Sequence, residues 1–192
     1  MEGSGLIERA VVFAARKHAG QVRKGSKVPY LLHPLECAVI VATMTNSTAV
    51  IAAAVLHDVL EDTPATREEL LEHFGPEITE LVCAESEDKR PGQPKADTWR
   101  ARKQETLDRL QNESRNAQII ALGDKLANLR AIRRDLETMG DALWQRFNQK
   151  DPAQHAWYYR AVGRCLSSLA CYPAYQEYIQ LLNQVFGPES EN

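Results

Sequence analysis

Residues 56–63 read LHDVLEDT and set His57, Asp58, Glu61 and Asp62 at the end of an otherwise apolar stretch, AVIAAAVL. Imidazole nitrogen and carboxylate oxygen together suit a divalent first-row transition metal. His57 and Asp58 are adjacent and so share no strict helical face. A metal held off the helix end is still within reach of both if neighbouring helices supply further ligands. His57 with Glu61, and Asp58 with Asp62, stand at i,i+4 spacing. A buried His–Asp pair can equally be a satisfied polar contact in a core. Four ionisable groups closing an apolar helix are costly to bury unless paired or metal-bound, and this favours the metal.

Two other stretches can complete such a centre. In YLLHP, His33 lies where a loop enters a helix and Pro34 fixes the chain direction, so the imidazole can reach across to another helix. In IIALGDKLANLRAI, Asp124 follows an apolar run and shares a helical face with Asn128. Without the first motif, Asp124 reads equally well as a carboxylate pairing with Lys125 or Asn128.

Helices must carry all of these groups. Apolar spacing predicts a helix from Leu6 to His18, ended by Gly20. QVRKGSKVPYLLHP reads as a loop, because Gly25 and Pro29 break regular structure, and a second helix follows from about His33 to Met44. Asn46, Ser47 or Thr48 caps a third, AVIAAAVLHDVL, buried on most sides. Thr66 and Glu69 form a capping box for a short helix ending at Phe74-Gly75, and Pro76 opens another to about Ala84. ESEDKRPGQPKAD is a loop. Further helices are predicted over Ala96 to Leu110, Arg115 to Arg134, Asp141 to Phe147, Ala153 to Leu169 and Pro173 to Phe186. No alternating strand pattern occurs, so the predicted fold is all-α, a single compact helical bundle over residues 1–192 with helices 153–186 packed on it.

The 192 residues make one domain more natural than two. A formal charge of −3 removes the electrostatic case for a nucleic-acid polymer as partner. No membrane span is expected, and charges at Glu8, Arg9, Arg16 and Lys17 interrupt any secretory signal. Cys37, Cys83, Cys165 and Cys171 show no CxxC spacing and read as reduced core residues of a cytoplasmic protein. His73 and His155 read as surface or capping residues. Trp99, Trp144, Trp157 and tyrosines 172, 175 and 178 read as packing between C-terminal helices, or as a homo-oligomer contact.

The order H…HD…D, carried by His33, His57-Asp58 and Asp124, resembles the HD-domain metal-dependent phosphohydrolase superfamily. The resemblance is closest to its hydrolases of guanosine tetraphosphate (ppGpp), including small stand-alone enzymes. Their early segment is matched by AARKHAGQVRKGSKVPYLLHP and their HDxxEDT by HDVLEDT; HFGPEI, EDK and LGDKLANLR match later elements. The match runs over roughly residues 7 to 170.

The resemblance implies one divalent ion, usually Mn²⁺, held by His33, His57, Asp58 and Asp124. It gives Glu61 and Asp62 the hydrolytic role of orienting water and moving protons. It assigns Arg23 and Lys24 to the nucleotide and its phosphates, Asn128 to the base, and Tyr158 to the pocket wall, with Lys89 and Arg130 as further basic candidates. Two departures stand out. Gly123 replaces the usual alanine before the ligand aspartate, which by propensity loosens the helix by roughly 1 kcal/mol. AESE precedes the DK pair and sets Glu85 and Glu87 near the expected polyanion. The implied reaction removes the 3′-diphosphate of ppGpp or pppGpp, giving GDP or GTP and diphosphate. The alternatives are another nucleotide, such as the 2′-phosphate of NADPH or an adenine alarmone, and a catalytically silent nucleotide sensor.

Overall fold

The computed structural model describes residues 5–87, 90 and 92–189, and among them every regular element is helical. Nine α-helices follow in order: α1 (Leu6–Lys17), α2 (Leu32–Ala42), α3 (Thr48–Leu56), α4 (Val59–Asp62), α5 (Arg67–Glu85), α6 (Trp99–Leu110), α7 (Arg115–Met139), α8 (Pro152–Cys165) and α9 (Pro173–Phe186). Segments Gly140–Arg146 and Ser167–Leu169 are 3₁₀ turns. The chain divides into two compact units, Met1–Glu87 with Ser114–Asp124, and Asp88–Glu113 with Lys125–Asn192.

In the first unit α3 is the centre, lying against α1, α2 and α5. Its Ala52, Ala53 and Ala54 are fully buried, and such small side chains let neighbouring helices approach closely. Ser47 caps it, its Oγ accepting from the Val50 amide at 3.4 Å. Glu8 in the first turn of α1, and Arg16 and Lys17 in its last, complement the helix dipole. Thr66 caps α5 by accepting from the Glu69 amide, as the sequence pattern predicts. The expected break at Phe74-Gly75 is a kink within α5, where Gly75 takes φ 77°.

The helix expected to run through His57 to Leu60 instead stops at Leu56. His57 Nδ1 bonds the Ala54 carbonyl at 2.8 Å. A straight continuation would have offered that carbonyl to the Asp58 amide. The chain turns at His57 and Asp58 and resumes as the single turn α4. Thr63 closes α4, its hydroxyl donating to the Val59 carbonyl at 2.6 Å while accepting from the Ala65 amide at 3.1 Å.

The loop before α2 is more ordered than its glycine and proline suggest. Val22 pairs with Pro29 in an isolated β-bridge, Arg23 N donates to Val28 O at 2.8 Å, and Tyr30 N donates to Gln21 O at 2.9 Å. Gly25 supplies the positive φ, 71°, that the tight return needs.

Gly123 is where helix propensity misleads. A Cβ built on it would stand 2.7 Å from Val41 Cγ2 and 3.1 Å from the Cys37 carbonyl oxygen. The missing side chain lets the start of α7 seat against α2 and delivers Asp124 to the same region as His33. Gly123→Ala should therefore destabilise the protein by up to about 2 kcal/mol. The overpacking penalty of about 1–3 kcal/mol exceeds the propensity gain of about 1 kcal/mol. Urea unfolding measures this, and adding Val41→Ala should recover part of the loss; a more stable single variant would contradict the argument.

In the second unit α8 packs against α6 and α9. Asp151 caps α8 by accepting from the Ala153 amide at 2.8 Å. Tyr178, fully buried on α9, donates to the Tyr159 carbonyl at 2.6 Å. Trp99 and Trp144 are buried, and Trp157 carries the Arg100 guanidinium 3.2 Å from its ring centroid. His155 departs from the surface or capping role expected of it. It is buried among Trp99, Trp144 and Phe147, with Nε2 bonded to Gln149 O at 2.9 Å. Burial lowers its pKa and keeps it neutral, so it behaves as an aromatic ring with one satisfied nitrogen.

All four cysteines are free. Cys37 is a core residue whose thiol burial pushes up to about 12, whereas Cys171 is exposed and lies outside any core. No described helix is long and apolar enough to cross a membrane.

Candidate functional site

Three separate stretches of the first unit bring four donor atoms together. α2 contributes His33 from its first turn, the α3–α4 turn contributes His57 and Asp58, and α7 contributes Asp124. His33 Nε2 lies 3.0 Å from Asp124 Oδ1 and 3.5 Å from Asp58 Oδ2. His57 Nε2 lies 3.1 Å from Asp58 Oδ2 and 3.7 Å from Asp124 Oδ1. Both imidazoles and Asp124 are buried. His33, His57 and Asp58 by themselves satisfy the spacing of a metal-binding group.

The donor set fits a divalent ion on two counts. Ligand atoms about 2.1 Å from a shared metal stand about 3.0 Å apart at a right angle and about 3.4 Å apart at a tetrahedral one. The observed separations bracket those values. The second count is His57 Nε2, which is buried with no hydrogen-bond partner although two carboxylates approach it. Ala54 O holds a hydrogen on Nδ1, so Nε2 is the nitrogen turned to the cluster and offers its lone pair there once it has lost its proton. Two carboxylate oxygens stand 3.1 and 3.7 Å from this nitrogen, an arrangement that suits a cation placed between the groups. Burial opposes charge on His57, but the Asp58 carboxylate and the other nearby groups hold its pKa above the ordinary value. Burial likewise works against the Asp58 charge, and the two imidazoles overcome it, holding its pKa below the usual carboxylate range.

Asp62, on the last residue of α4, stands beside the cluster through Tyr30. The Tyr30 hydroxyl lies 2.8 Å from Asp58 Oδ2 and 2.7 Å from Asp62 Oδ2. Burial, together with the two carboxylate charges, raises the Tyr30 pKa, so the phenol keeps its proton and acts as donor. Glu61 Oε2 accepts from the Glu87 amide at 3.3 Å, which ties the segment after α5 to this turn. Arg23 sits in the bridged loop with its guanidinium 5.6 Å from the Tyr30 ring centroid, and Lys24 beside it is exposed.

Asn128, Arg130 and Tyr158 belong to the second unit. Arg130 makes a two-pronged ion pair with Glu177, both contacts at 2.7 Å. Tyr158 is buried beside Trp99 and Trp157, with Lys103 Nζ 5.1 Å from its ring centroid and no partner for its hydroxyl. Lys89 lies outside the described residues.

Tyr30, His18 and Gln21 were not among the expected site residues. They occur in HAGQ and PY, and their distance along the chain from the HD pair hid them; a histidine and a tyrosine flanking a basic loop were the available signal.

A helical unit that converges two imidazoles and two carboxylates on one point, with further carboxylates beside them, has the donor set of a divalent-metal site. The chain belongs to the HD domain family, whose model matches residues 10–153. Among curated relatives it is 40% identical over 132 residues to guanosine-3′,5′-bis(diphosphate) 3′-pyrophosphohydrolase MESH1 of Xenopus tropicalis, covering 67% of this chain and 70% of that protein. It is 38% identical to the Homo sapiens protein of the same name over 136 residues, covering 69% and 72%. GTP pyrophosphokinase rsh of Brucella ovis is 37% identical over 66% of this chain, but the match spans only 17% of that longer protein. Among solved structures, a metazoan ortholog of SpoT described as hydrolysing ppGpp superposes with a TM-score of 0.78 at 26% identity, covering 98% of this chain and 99% of its own. A Listeria monocytogenes structure gives 0.71 at 26% identity over 83% and 97%.

Proposed function

We propose that the protein is a Mn²⁺-dependent hydrolase that removes the 3′-diphosphate of ppGpp or pppGpp. The observation that carries this reading is the donor cluster of His33, His57, Asp58 and Asp124 with Asp62 linked to it through the Tyr30 hydroxyl. The relatives named for hydrolysis of this nucleotide support the choice of substrate.

In this reading His33, His57, Asp58 and Asp124 hold the ion. A bound divalent ion lowers the pKa of water and offsets charge at phosphorus. Asp62, or Glu61 beside it, accepts the proton of the attacking water and keeps it in line. Water oxygen bonds to the phosphorus, the P–O3′ bond breaks, and the ribose oxygen leaves with the bonding pair and takes up a proton. GDP or GTP and diphosphate result. Arg23 and Lys24 bind the phosphates, the guanidinium by forked contacts and the ammonium as a point charge. Asn128, Tyr158, Lys89 and Arg130 are assigned to the nucleotide by motif; Arg130 would have to exchange its Glu177 partner for substrate. Residues 1–192 are proposed as one HD-type domain. The cytoplasm is proposed as the compartment, a reading that the four free cysteines support. No nucleic-acid polymer or membrane is assigned as partner, and a homo-oligomer fits equally with a monomer.

Mn²⁺-supplemented turnover of ppGpp, pppGpp and NADPH, with products identified, tests the reading. Diphosphate release from ppGpp by the native protein, absent in a His57→Ala, Asp58→Ala double variant, is the expected result. Preference for NADPH or another nucleotide overturns the substrate while leaving the metal centre. No turnover of any of them favours a silent sensor.

A further inference from the structure

Asp62 ends a helix of a single turn, and one turn is marginal in isolation because its last carbonyls lack partners within the helix. A carboxylate meant to hold a water molecule in line needs firmer support than that.

Three residues from the first loop provide it. Gln21 Nε2 donates to the Asp62 carbonyl at 2.7 Å, giving that acceptor a partner. Gln21 Oε1 in turn pairs with His18 Nδ1 at 2.8 Å. Turning the Gln21 amide over would set two acceptors against each other at Asp62, so His18 must carry its hydrogen on Nδ1, and it thereby locks the amide. His18 is buried, and its ring stacks on Tyr30 with centroids 5.0 Å apart and planes at 28°. Tyr30 completes the circuit at the other end of the same residue, with its hydroxyl at Asp62 Oδ2. Asp62 is thus held at its carbonyl and at its carboxylate by side chains that also hold each other.

The Tyr30 hydroxyl has one hydrogen and two carboxylate oxygens within reach, Asp58 Oδ2 and Asp62 Oδ2. It sets the spacing between a residue of the donor cluster and the residue assigned to the water.

We infer that His18, Gln21 and Tyr30 are positioning residues that fix Asp62 relative to Asp58. The inference rests on the proposed hydrolytic role of Asp62, and its test separates the two.

The first arm needs no substrate. Amide hydrogen exchange is followed on the full chain in Mn²⁺ for the native protein, Tyr30→Phe and Gln21→Ala. The Asp62 amide, bonded to Asp58 O at 2.9 Å, should exchange about tenfold faster in either variant, with α3 amides unchanged. Unchanged exchange at Asp62 overturns the inference. So does acceleration that extends into α3, because the three residues would then support the fold in general.

The second arm uses ppGpp. Tyr30→Phe should lower kcat by about 10- to 100-fold with KM within about twofold. In an Asp62→Asn background the same change should alter kcat by less than about twofold, because its effect passes through Asp62. An equal loss in both backgrounds, or a rise in KM alone, overturns the inference. A native protein that leaves ppGpp intact overturns the substrate reading instead, and the exchange arm then decides the positioning role.

Discussion

Asp58→Asn is expected to weaken Mn²⁺ binding by at least about 100-fold and to lower turnover with it, excess metal restoring part of the rate. The side chain keeps its size, so the change isolates charge. Asp58 Oδ2 is the atom that meets His57, His33 and Tyr30 together, at 3.1, 3.5 and 2.8 Å. An asparagine there offers a weaker donor to the ion and removes the main electrostatic support for charge on His57. The pH dependence follows from that support. With its pKa raised, His57 in the metal-free protein holds a proton to higher pH than a free imidazole, and a metal must displace it. Metal affinity should therefore fall as pH drops below the folded pKa, by about tenfold per unit for one displaced proton. Calorimetric titration with Mn²⁺ at several pH values measures both effects. Affinity in Asp58→Asn equal to the native value would remove Asp58 from the ligand set.

Asp62→Asn should behave in the opposite way toward metal. Turnover is expected to fall by about 10²- to 10⁴-fold, the range for loss of a positioned general base, while Mn²⁺ affinity stays within a few-fold of native. Added metal should restore nothing. Asparagine still accepts from the Tyr30 hydroxyl and leaves the Gln21 contact to the backbone untouched, so the geometry survives while the basic oxygen is lost. Steady-state rates over a Mn²⁺ series distinguish the two variants. Retention of native kcat in Asp62→Asn would move the proton-accepting role to Glu61.

Much of this was legible in the sequence because it depends on local spacing. The apolar run from Ala49 to Leu56 had to be a buried helix, and the charges closing it had to be compensated. His33 and Asp124 were recognisable by the motifs around them. What escaped was set by contacts between distant segments. His57 ends α3 because its ring takes the Ala54 carbonyl, and helical periodicity carries no trace of that bond. Gly123 read as a weak point in α7, since propensity describes a helix alone and not its distance from Cys37 and Val41. Tyr30 stands in a stretch whose composition signals only a loop. Its role follows from a hydroxyl meeting two carboxylates 28 and 32 residues away. His155, expected at the surface, is enclosed by three aromatic rings from two other stretches, Trp99 on α6 and Trp144 and Phe147 in and just after the 3₁₀ turn.

The tight seat at Gly123 also bears on how the centre comes into being during folding. Asp124 is the last donor to be synthesised, and it reaches the others only when α7 docks in the notch that a missing methyl group leaves open. Until that long loop closes, His33, His57 and Asp58 form an incomplete cage with a correspondingly poor hold on any cation. In the proposed centre, full affinity for the ion would therefore depend on the same close seat of α7 against α2 that a single methyl group at position 123 would spoil.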